Sequence, residues 1–291
     1  MQASAAAGTA AMIPAFSFHP VKEELQNTSL TLNKNPLKIG LMTYLLGSEW
    51  DIETIIKNCT ETGFQSVELR TTHAHGVEVT LTSSQRAEVK KRFKDSPLET
   101  ISLASAFQYH SPDPAELKKN IEGTKEYVLL ARDVGATGFR VFPNAFPEGV
   151  AKDKTMEQIG KALAEVGTYA NNYGVEIRVC VHGQGTNSVA VIKKIIDYSQ
   201  SPYVYVNWNC EASDSAGEGL EYNFNSIKDR IKGVHMHDLH DPAYPYRHFL
   251  KLLADSGFKG YCNAEIGRVS CEPVEYMKCY KGLFLALQNA I

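Results

Sequence analysis

The residues best equipped for chemistry lie late in the chain. Val234-His235-Met236-His237-Asp238-Leu239 and Asn263-Ala264-Glu265-Ile266 are short apolar runs, each ending in side chains that can hold a metal ion or move a proton. A strand alternates its side chains between two faces, so His235 and His237 share one face while Val234 and Met236 take the other. Arg178-Val179-Cys180-Val181-His182 alternates in the same way, with Arg178, Cys180 and His182 on one side. Imidazole titrates near neutrality, which suits His182 to general-base work or to contact with a hydroxyl. A Cys180–His182 thiol nucleophile is a poor reading, because side chains two apart on a strand point in parallel and lie roughly 6–7 Å apart. Loaded ends on several strands indicate one mouth into which they all open.

For these side chains to meet, the elements carrying them must repeat, and from Leu37 onward strand and helix signals alternate. Leu37 to Tyr44 suits a first strand; Asp51 opens a helix in which Ile52, Ile55 and Ile56 recur at helical spacing, and Gly63 ends it. Phe64 to Arg70 reads as strand two, Ser83 to Phe93 as a helix, Leu98 to Phe107 as strand three and Pro112 to Val134 as a long helix. Gly135 and Gly138 frame the turn into strand four, Phe139 to Phe142, and the helix Met156 to Tyr173 stops at Gly174. Val175 to Val181, Val204 to Trp208, Lys232 to Met236 and Gly260 to Ile266 supply strands five to eight, with helices at Ser188 to Tyr198, Tyr246 to Ser256 and Pro273 to Gln288. The polar segment Glu211 to Glu221, with Gly217 and Gly219, is expected to be a surface or lid loop. This alternation predicts an α/β chain with a single-domain (β/α)8 TIM barrel over residues 37–291, its site at the carboxyl ends of the strands. An open doubly wound sheet is the alternative, but no Gly-x-Gly-x-x-Gly follows an early strand.

Composition narrows the partner. At 291 residues and 43% hydrophobic, the chain can bury a large core. A formal net charge of −3 without a basic run gives no electrostatic footprint for nucleic acid or an anionic membrane. No run approaches the roughly 20 apolar residues of a membrane helix. A small polar molecule is the expected partner, with assembly into an oligomer left open. The cysteines Cys59, Cys180, Cys210, Cys262, Cys271 and Cys279 are scattered without Cys-x-x-Cys spacing and define no disulfide framework. Residues 1–21 hold no Lys, Arg, Asp or Glu, and Ala5 to Ser17 is small and apolar, similar to the tail of a bacterial export signal whose basic start is missing. Residues 1–30 are set apart from the fold as a leader. The periplasm is the expected location, with a cytoplasmic leader as the alternative.

Five segments, taken in order, carry a resemblance. They are Gly63-Phe64-Gln65-Ser66-Val67-Glu68-Leu69, Gly135-Ala136-Thr137-Gly138-Phe139-Arg140-Val141, Gly174-Val175-Glu176-Ile177, His235-Met236-His237-Asp238 and Ala264-Glu265-Ile266. Together they resemble the xylose isomerase-like TIM barrels, a superfamily of sugar-phosphate isomerases and epimerases that also includes endonuclease IV and inosose dehydratase. The resemblance implies a divalent metal held by a Glu on strand five, an Asp on six, a His on seven and a Glu on eight. His235 and Glu265 match the last two, whereas the first two positions fall on Cys180 and Asn209. His182 matches a His two residues beyond the strand-five ligand, and Ala212 replaces a His usual after strand six. The implied metal set is therefore Cys180, Asn209, His235 and Glu265, for Zn²⁺, Mn²⁺ or Mg²⁺. Hard cations prefer carboxylate oxygen, so this set shifts any preference towards Zn²⁺, which takes thiolate, imidazole and carboxylate together. The alternative is that no metal is held, with Cys180 a small buried thiol and Asn209 and His235 members of a polar pocket.

The same mouth offers substrate contacts. Glu68 ends strand two, where the resemblance implies substrate contact or support of the site; an ion pair with Arg140 or Arg70 is the structural alternative. His73 and His75 read as solvated or lid residues. Arg178, Trp208, His237 and Tyr109 are further candidate contacts. The aromatic faces of Trp208, Tyr109, Phe107, Phe142 and Tyr44 can stack on a sugar ring while Asn144, Gln108 and Gln184 supply hydrogen bonds. No Gly-rich phosphate motif accompanies them. The expected activity is that of a sugar isomerase or epimerase, moving a proton beside the carbonyl of a sugar or keto-sugar, with Glu265, His182 and His235 as catalytic residues. A keto-glycoside lyase begins with the same proton abstraction. A non-catalytic carbohydrate-binding barrel without the metal site is the alternative from another class, and a DNA-repair nuclease is disfavoured by the acidic balance.

Overall fold

A computed structural model describes residues 32–291, so the leader expected over 1–30 lies outside the described residues. The strands are β1 (Lys38–Met42), β2 (Ser66–Arg70), β3 (Thr100–Gln108), β4 (Gly138–Phe142), β5 (Glu176–Cys180), β6 (Val204–Asn209), β7 (Ile231–Met236) and β8 (Tyr261–Glu265). All neighbours pair in parallel, and β1 pairs with β8 at Lys38↔Tyr261 through Met42↔Glu265, which closes the ring. The helices are α1 (Ile52–Thr62), α2 (Ser83–Lys94), α3 (Pro114–Val134), α4 (Lys152–Asn171), α5 (Val189–Ser199), α6 (Leu220–Ile227), α7 (Tyr246–Asp255) and α8 (Pro273–Leu287). The protein is a (β/α)8 TIM barrel. Beyond the carboxyl ends of β4 and β5, Asn144–Ala145 and Gly183–Gln184 form a short parallel ladder. No helix among the described residues is long and apolar enough to cross a membrane.

Local chemistry sets the boundaries. Asp51 caps α1 by accepting from the Thr54 amide at 2.8 Å, and Gly63 ends it in the left-handed region at φ 67°. Thr82 and Gln85 make a reciprocal capping box on α2, and Asp113 caps α3 with Pro114 in its first turn. One expectation is corrected. The segment 211–221 does lie at the surface over residues 215–218, but it is not all loop: it contains a 3-10 turn, Ala212–Ser215, and leads into α6. Asp214 in that turn is fully buried and accepts from the Tyr244 hydroxyl at 3.0 Å, which ties the segment to the chain after β7.

Alternation along the strands divides the core. Ile39, Leu41, Val67, Leu69, Ile101, Leu103, Phe139, Val141, Ile177, Val179, Val206, Trp208, Val234 and Met236 are buried on the helix-facing side. The inward set is different in kind: Ser66, Glu68, Ser102, Arg140, Arg178, Cys180, Asn207, Asn209, His235 and Asn263 are all buried. Branched apolar side chains usually fill such a barrel. Here glycines make room for longer polar groups, since a Cβ at Gly138 would collide with the Arg178 guanidinium and one at Gly233 would lie 2.5 Å from Asn207 Oδ1.

Candidate functional site

The upper interior is organised around His235 on β7. Its Nε2 lies 2.7 Å from Oε1 of Glu68, which reaches across from β2, and its Nδ1 lies 3.1 Å from Oε2 of Glu265 on β8. Glu68 is wholly buried, and its other oxygen accepts from Ser102 Oγ at 3.1 Å and Asn263 Nδ2 at 3.3 Å. Burial alone would drive His235 to give up its proton, but the two carboxylates outweigh it and hold the imidazolium well above the ordinary histidine range. Burial would likewise raise both carboxyls. The charge and hydrogen bonds of His235, assisted by Arg140, instead lower Glu68 and bring Glu265 down to about 2. The Glu265 side chain keeps 15% of its surface accessible, so this end of the triad faces the mouth.

Around it stand polar groups without partners. Arg140 is 2% exposed, donates from one terminal nitrogen to the Ser105 carbonyl at 2.7 Å and stacks 4.0 Å over the Phe142 ring. Its Nε is buried and unbonded. The His182 ring, 4.6 Å from that of Phe142, is half-buried with Nδ1 buried and unbonded. Burial lowers its pKa, Arg140 and His235 assist, and Glu211 and Glu265 oppose, which leaves a neutral imidazole at neutral pH. Asn209 donates from Nδ2 to Glu211 Oε1 at 2.7 Å, which fixes the amide orientation and leaves Oδ1 buried and unbonded. Glu211 also accepts from Asn187 Nδ2 at 2.9 Å. Buried polar groups are nearly always satisfied, so three unsatisfied ones in one region mark where a ligand or water belongs.

Several expected contacts lie elsewhere. Trp208 is fully buried on the helix side of β6, donating to Tyr244 Oη at 3.0 Å and stacking on Phe249 at 5.3 Å. Asn207 and Asn209 take the inward positions on either side of it. Tyr109 is fully buried with its hydroxyl 2.7 Å from Thr124. Neither ring can stack on a sugar in the mouth. Arg178 does point inward, in register with Arg140, but its side chain turns towards the amino end, where Nε and a terminal nitrogen grip Glu176 Oε2 at 3.0 and 2.6 Å. Glu68 has no surface to offer a substrate and acts through His235. His75 is a loop staple, its Nε2 on the Arg70 carbonyl at 2.8 Å and its Nδ1 accepting from Val77 N at 3.0 Å. His237 stays at the rim, within electrostatic reach of Glu265. Arg140 and Glu211 were not among the expected site residues. A charged residue at an inward position within Phe139-Arg140-Val141-Phe142 was the available signal for the first.

A model of the xylose isomerase-like TIM barrel family matches residues 56–278. The chain belongs to this family. Among curated proteins no sequence matches it. Its fold is similar to that of the apo 3-keto-D-glucoside 4-epimerase from E. coli, with a TM-score of 0.72 and 13% identity over 86% of this chain and 99% of that one. A D-psicose 3-epimerase from Clostridium cellulolyticum H10, solved with D-tagatose, gives 0.67 and 14% over 87% and 96%. The IolI protein, solved with a zinc atom, gives 0.73 and 15% over 87% and 98%.

The donors present here do not fit a divalent cation. Among the described residues no group of three or more His, Cys, Asp or Glu side chains is arranged to hold a metal ion. Of the set Cys180, Asn209, His235 and Glu265, the thiol is contacted by Asn207 Nδ2 at 3.7 Å, Asn209 Oδ1 is buried without a partner, His235 Nε2 meets Glu68 at 2.7 Å and its Nδ1 lies 3.1 Å from Glu265.

Proposed function

We propose that this barrel is a sugar isomerase or epimerase that moves a proton beside the carbonyl of an unphosphorylated sugar or keto-sugar, with His182 as the base. One observation carries this reading: His182 Nδ1, Asn209 Oδ1 and Arg140 Nε are buried, unpartnered polar atoms beside an ionised Glu265. A polyol supplies donors and acceptors together and would satisfy all three. The neutral His182 imidazole can take the proton from carbon, Arg140 can donate to the oxygen that gains charge, and Asn209 can accept from a neighbouring hydroxyl. The sugar epimerases among its structural neighbours support the substrate class. A keto-glycoside lyase would use the same first step.

Solvent-deuterium uptake at the carbon next to the carbonyl, followed by NMR across free ketoses and 3-keto-glucosides, tests this. Uptake in the native protein should fall about 100-fold or more in His182→Ala. Uptake should weaken only as pH falls through the His182 pKa, which burial holds below the ordinary histidine range. A second reading rests on Glu265, whose carboxyl, held at about 2 by His235, is a weak base. A carbohydrate-binding barrel would bind such sugars by calorimetry with no uptake. Neither binding nor uptake across the panel would overturn both readings.

A further inference from the structure

We propose that the mouth is built for a sugar acid: Arg70 takes the carboxylate of a 2-keto sugar acid while Arg140, on the same rung of the barrel with only Ala104 between them, holds the adjoining keto oxygen. This deepens the proposed function, on which it rests for the sugar, by naming the charge that the sugar carries.

Strand register sets the arrangement. Arg70 on β2 pairs with Ala104 on β3, and Ala104 pairs with Arg140 on β4. Neighbouring strands lie about 4.8 Å apart, so the two arginine backbones are separated by roughly 10 Å. Alternation gives Arg70 the inward face of Glu68, two residues earlier, and Ala104 that of Ser102. Ala104 presents only a methyl, and Ala106, nearer the end of the strand, is exposed, so β3 puts no bulk between the arginines. Arg140 leans towards β2, because one terminal nitrogen donates to the Ser105 carbonyl on β3 at 2.7 Å.

Both guanidinium groups are short of partners. The arginine ion pairs among the described residues belong to Arg86, Arg92, Arg132 and Arg178, and neither Arg70 nor Arg140 has a carboxylate within 4 Å. Arg140, 2% exposed, also keeps a buried Nε without a partner. The Arg70 side chain makes one bond among the described residues, from a terminal nitrogen to His73 Nε2 at 3.4 Å. Burial and the Arg70 charge hold that imidazole below its ordinary range, so it steadies the guanidinium as a neutral acceptor. The carboxylates of the mouth are engaged elsewhere: Glu68 and Glu265 lie against His235 and feel Arg140 only at longer range, and Glu211 accepts from Asn187 and Asn209. Glu49, exposed at the rim, is within electrostatic reach of His73. A guanidinium fork matches the two oxygens of a carboxylate. A carboxylate beside the keto carbon would meet Arg70 while the keto oxygen, which gains charge as the proton leaves, meets Arg140 Nε.

D-Fructose and 2-keto-D-gluconate decide the matter, because they differ only at C1, a hydroxymethyl group in the first and a carboxylate in the second. In calorimetry at low salt the native chain should bind the acid about tenfold or more tightly than the neutral sugar, and added salt should narrow the gap. The ratio of the two affinities should fall about tenfold in Arg70→Met. Arg70→Lys keeps the charge without the fork and should give an intermediate ratio, which serves if Arg70→Met does not fold. Equal affinity for acid and neutral sugar, binding of neither, or an acid preference untouched by either substitution would overturn the proposal. So would tighter binding of D-fructose 1-phosphate than of the keto-acid, which would give the arginines to a phosphate. Solvent-deuterium uptake reads the proposed function separately. Tight, Arg70-dependent binding of the acid without uptake would sink the isomerase and leave the anion site standing, and uptake with D-fructose but no acid preference would do the reverse.

Discussion

Both ends of the barrel interior are polar, but they handle polarity in opposite ways. At the amino end a cavity of about 450 Å³ is lined by Ser66, Ser102, Glu176, Arg178, Lys232 and Asn263. There Arg178 is closed on Glu176, Ser66 donates to Asn263 Oδ1 at 3.3 Å, and Asn263 and Ser102 both serve Glu68. At the carboxyl end Arg140 Nε, His182 Nδ1 and Asn209 Oδ1 have no partner. Although the amino-end cavity is well formed, Arg178 and Lys232 there are both paired with Glu176, and TIM-barrel sites lie at the opposite face. A satisfied polar cluster reads as structure, and an unsatisfied one reads as a place kept for something else. Glu68 joins the two regions, with one oxygen turned to each.

Glu68 should therefore give the largest effect. Glu68→Ala leaves His235 with one carboxylate and empties a fully buried position, and breaking a buried pair in this way costs about 3–5 kcal/mol. Urea denaturation at neutral pH would measure it. A loss below about 1 kcal/mol would mean that the triad does not bind the two ends together.

Acid should expose the same linkage with an effect of about 3 kcal/mol, from the displacement of Glu265 from 4.5 to about 2. Because the folded carboxyl lies below its unfolded value, its stabilisation is complete above pH 4.5 and is lost as pH falls towards 2. His235 has the opposite sign: raised above 6.5, its contribution is complete below that value and is lost as pH rises through its folded pKa. Denaturation curves from pH 2 to 7 should show the acid loss in the native protein and a shallower one in Glu265→Gln. Parallel curves would break the account.

Next comes the amino end alone. A methyl at Gly138 would strike the Arg178 guanidinium, which Glu176 pins in place, so Gly138→Ala should destabilise by about 1–3 kcal/mol through overpacking. Sugar binding measured by calorimetry in the folded variant should not change, since the Arg178 side chain is turned to Glu176 and the amino-end cavity. A large loss of binding would show that the two ends are not separable.

The strands could be read from the sequence because each helix-facing side is a run of Val, Ile, Leu and Phe, and capping residues such as Asp51 and Asp113 marked where helices begin. Helix α6 was missed: it is short, and the acidic, glycine-bearing stretch before it resembles a loop until Asp214 is seen buried under Tyr244. In the site, alternation placed Cys180, His182, His235 and Glu265 in one mouth. The same rule applied to Val206-Asn207-Trp208-Asn209 turns Trp208 outward, and an aromatic ring at a strand end can stack on a ligand only where alternation also aims it inward. Arg178 failed for another reason: alternation gives the face of a strand and not the direction a long side chain takes, and Arg178, in register with Arg140, turns back onto Glu176. The Glu68–His235 pair spans 167 positions, and only the closed ring brings those strands into reach.

The smallest expected change in stability is the most informative about the mouth. Asn209 spends one amide nitrogen on Glu211 and buries its oxygen with no partner. A buried acceptor without a hydrogen bond costs about 1–3 kcal/mol, while a hydrogen bond to a charged group contributes about the same. Asn209→Ala removes both at once, so its net effect on unfolding should lie within about 1 kcal/mol of zero, against several for Glu68→Ala. If the oxygen is kept for a hydroxyl of a bound sugar, affinity for any sugar the native chain binds should nonetheless fall about tenfold, the size of one lost buried hydrogen bond. A variant that loses stability as heavily as Glu68→Ala while binding sugar undiminished would place Asn209 with the satisfied structure of the amino end.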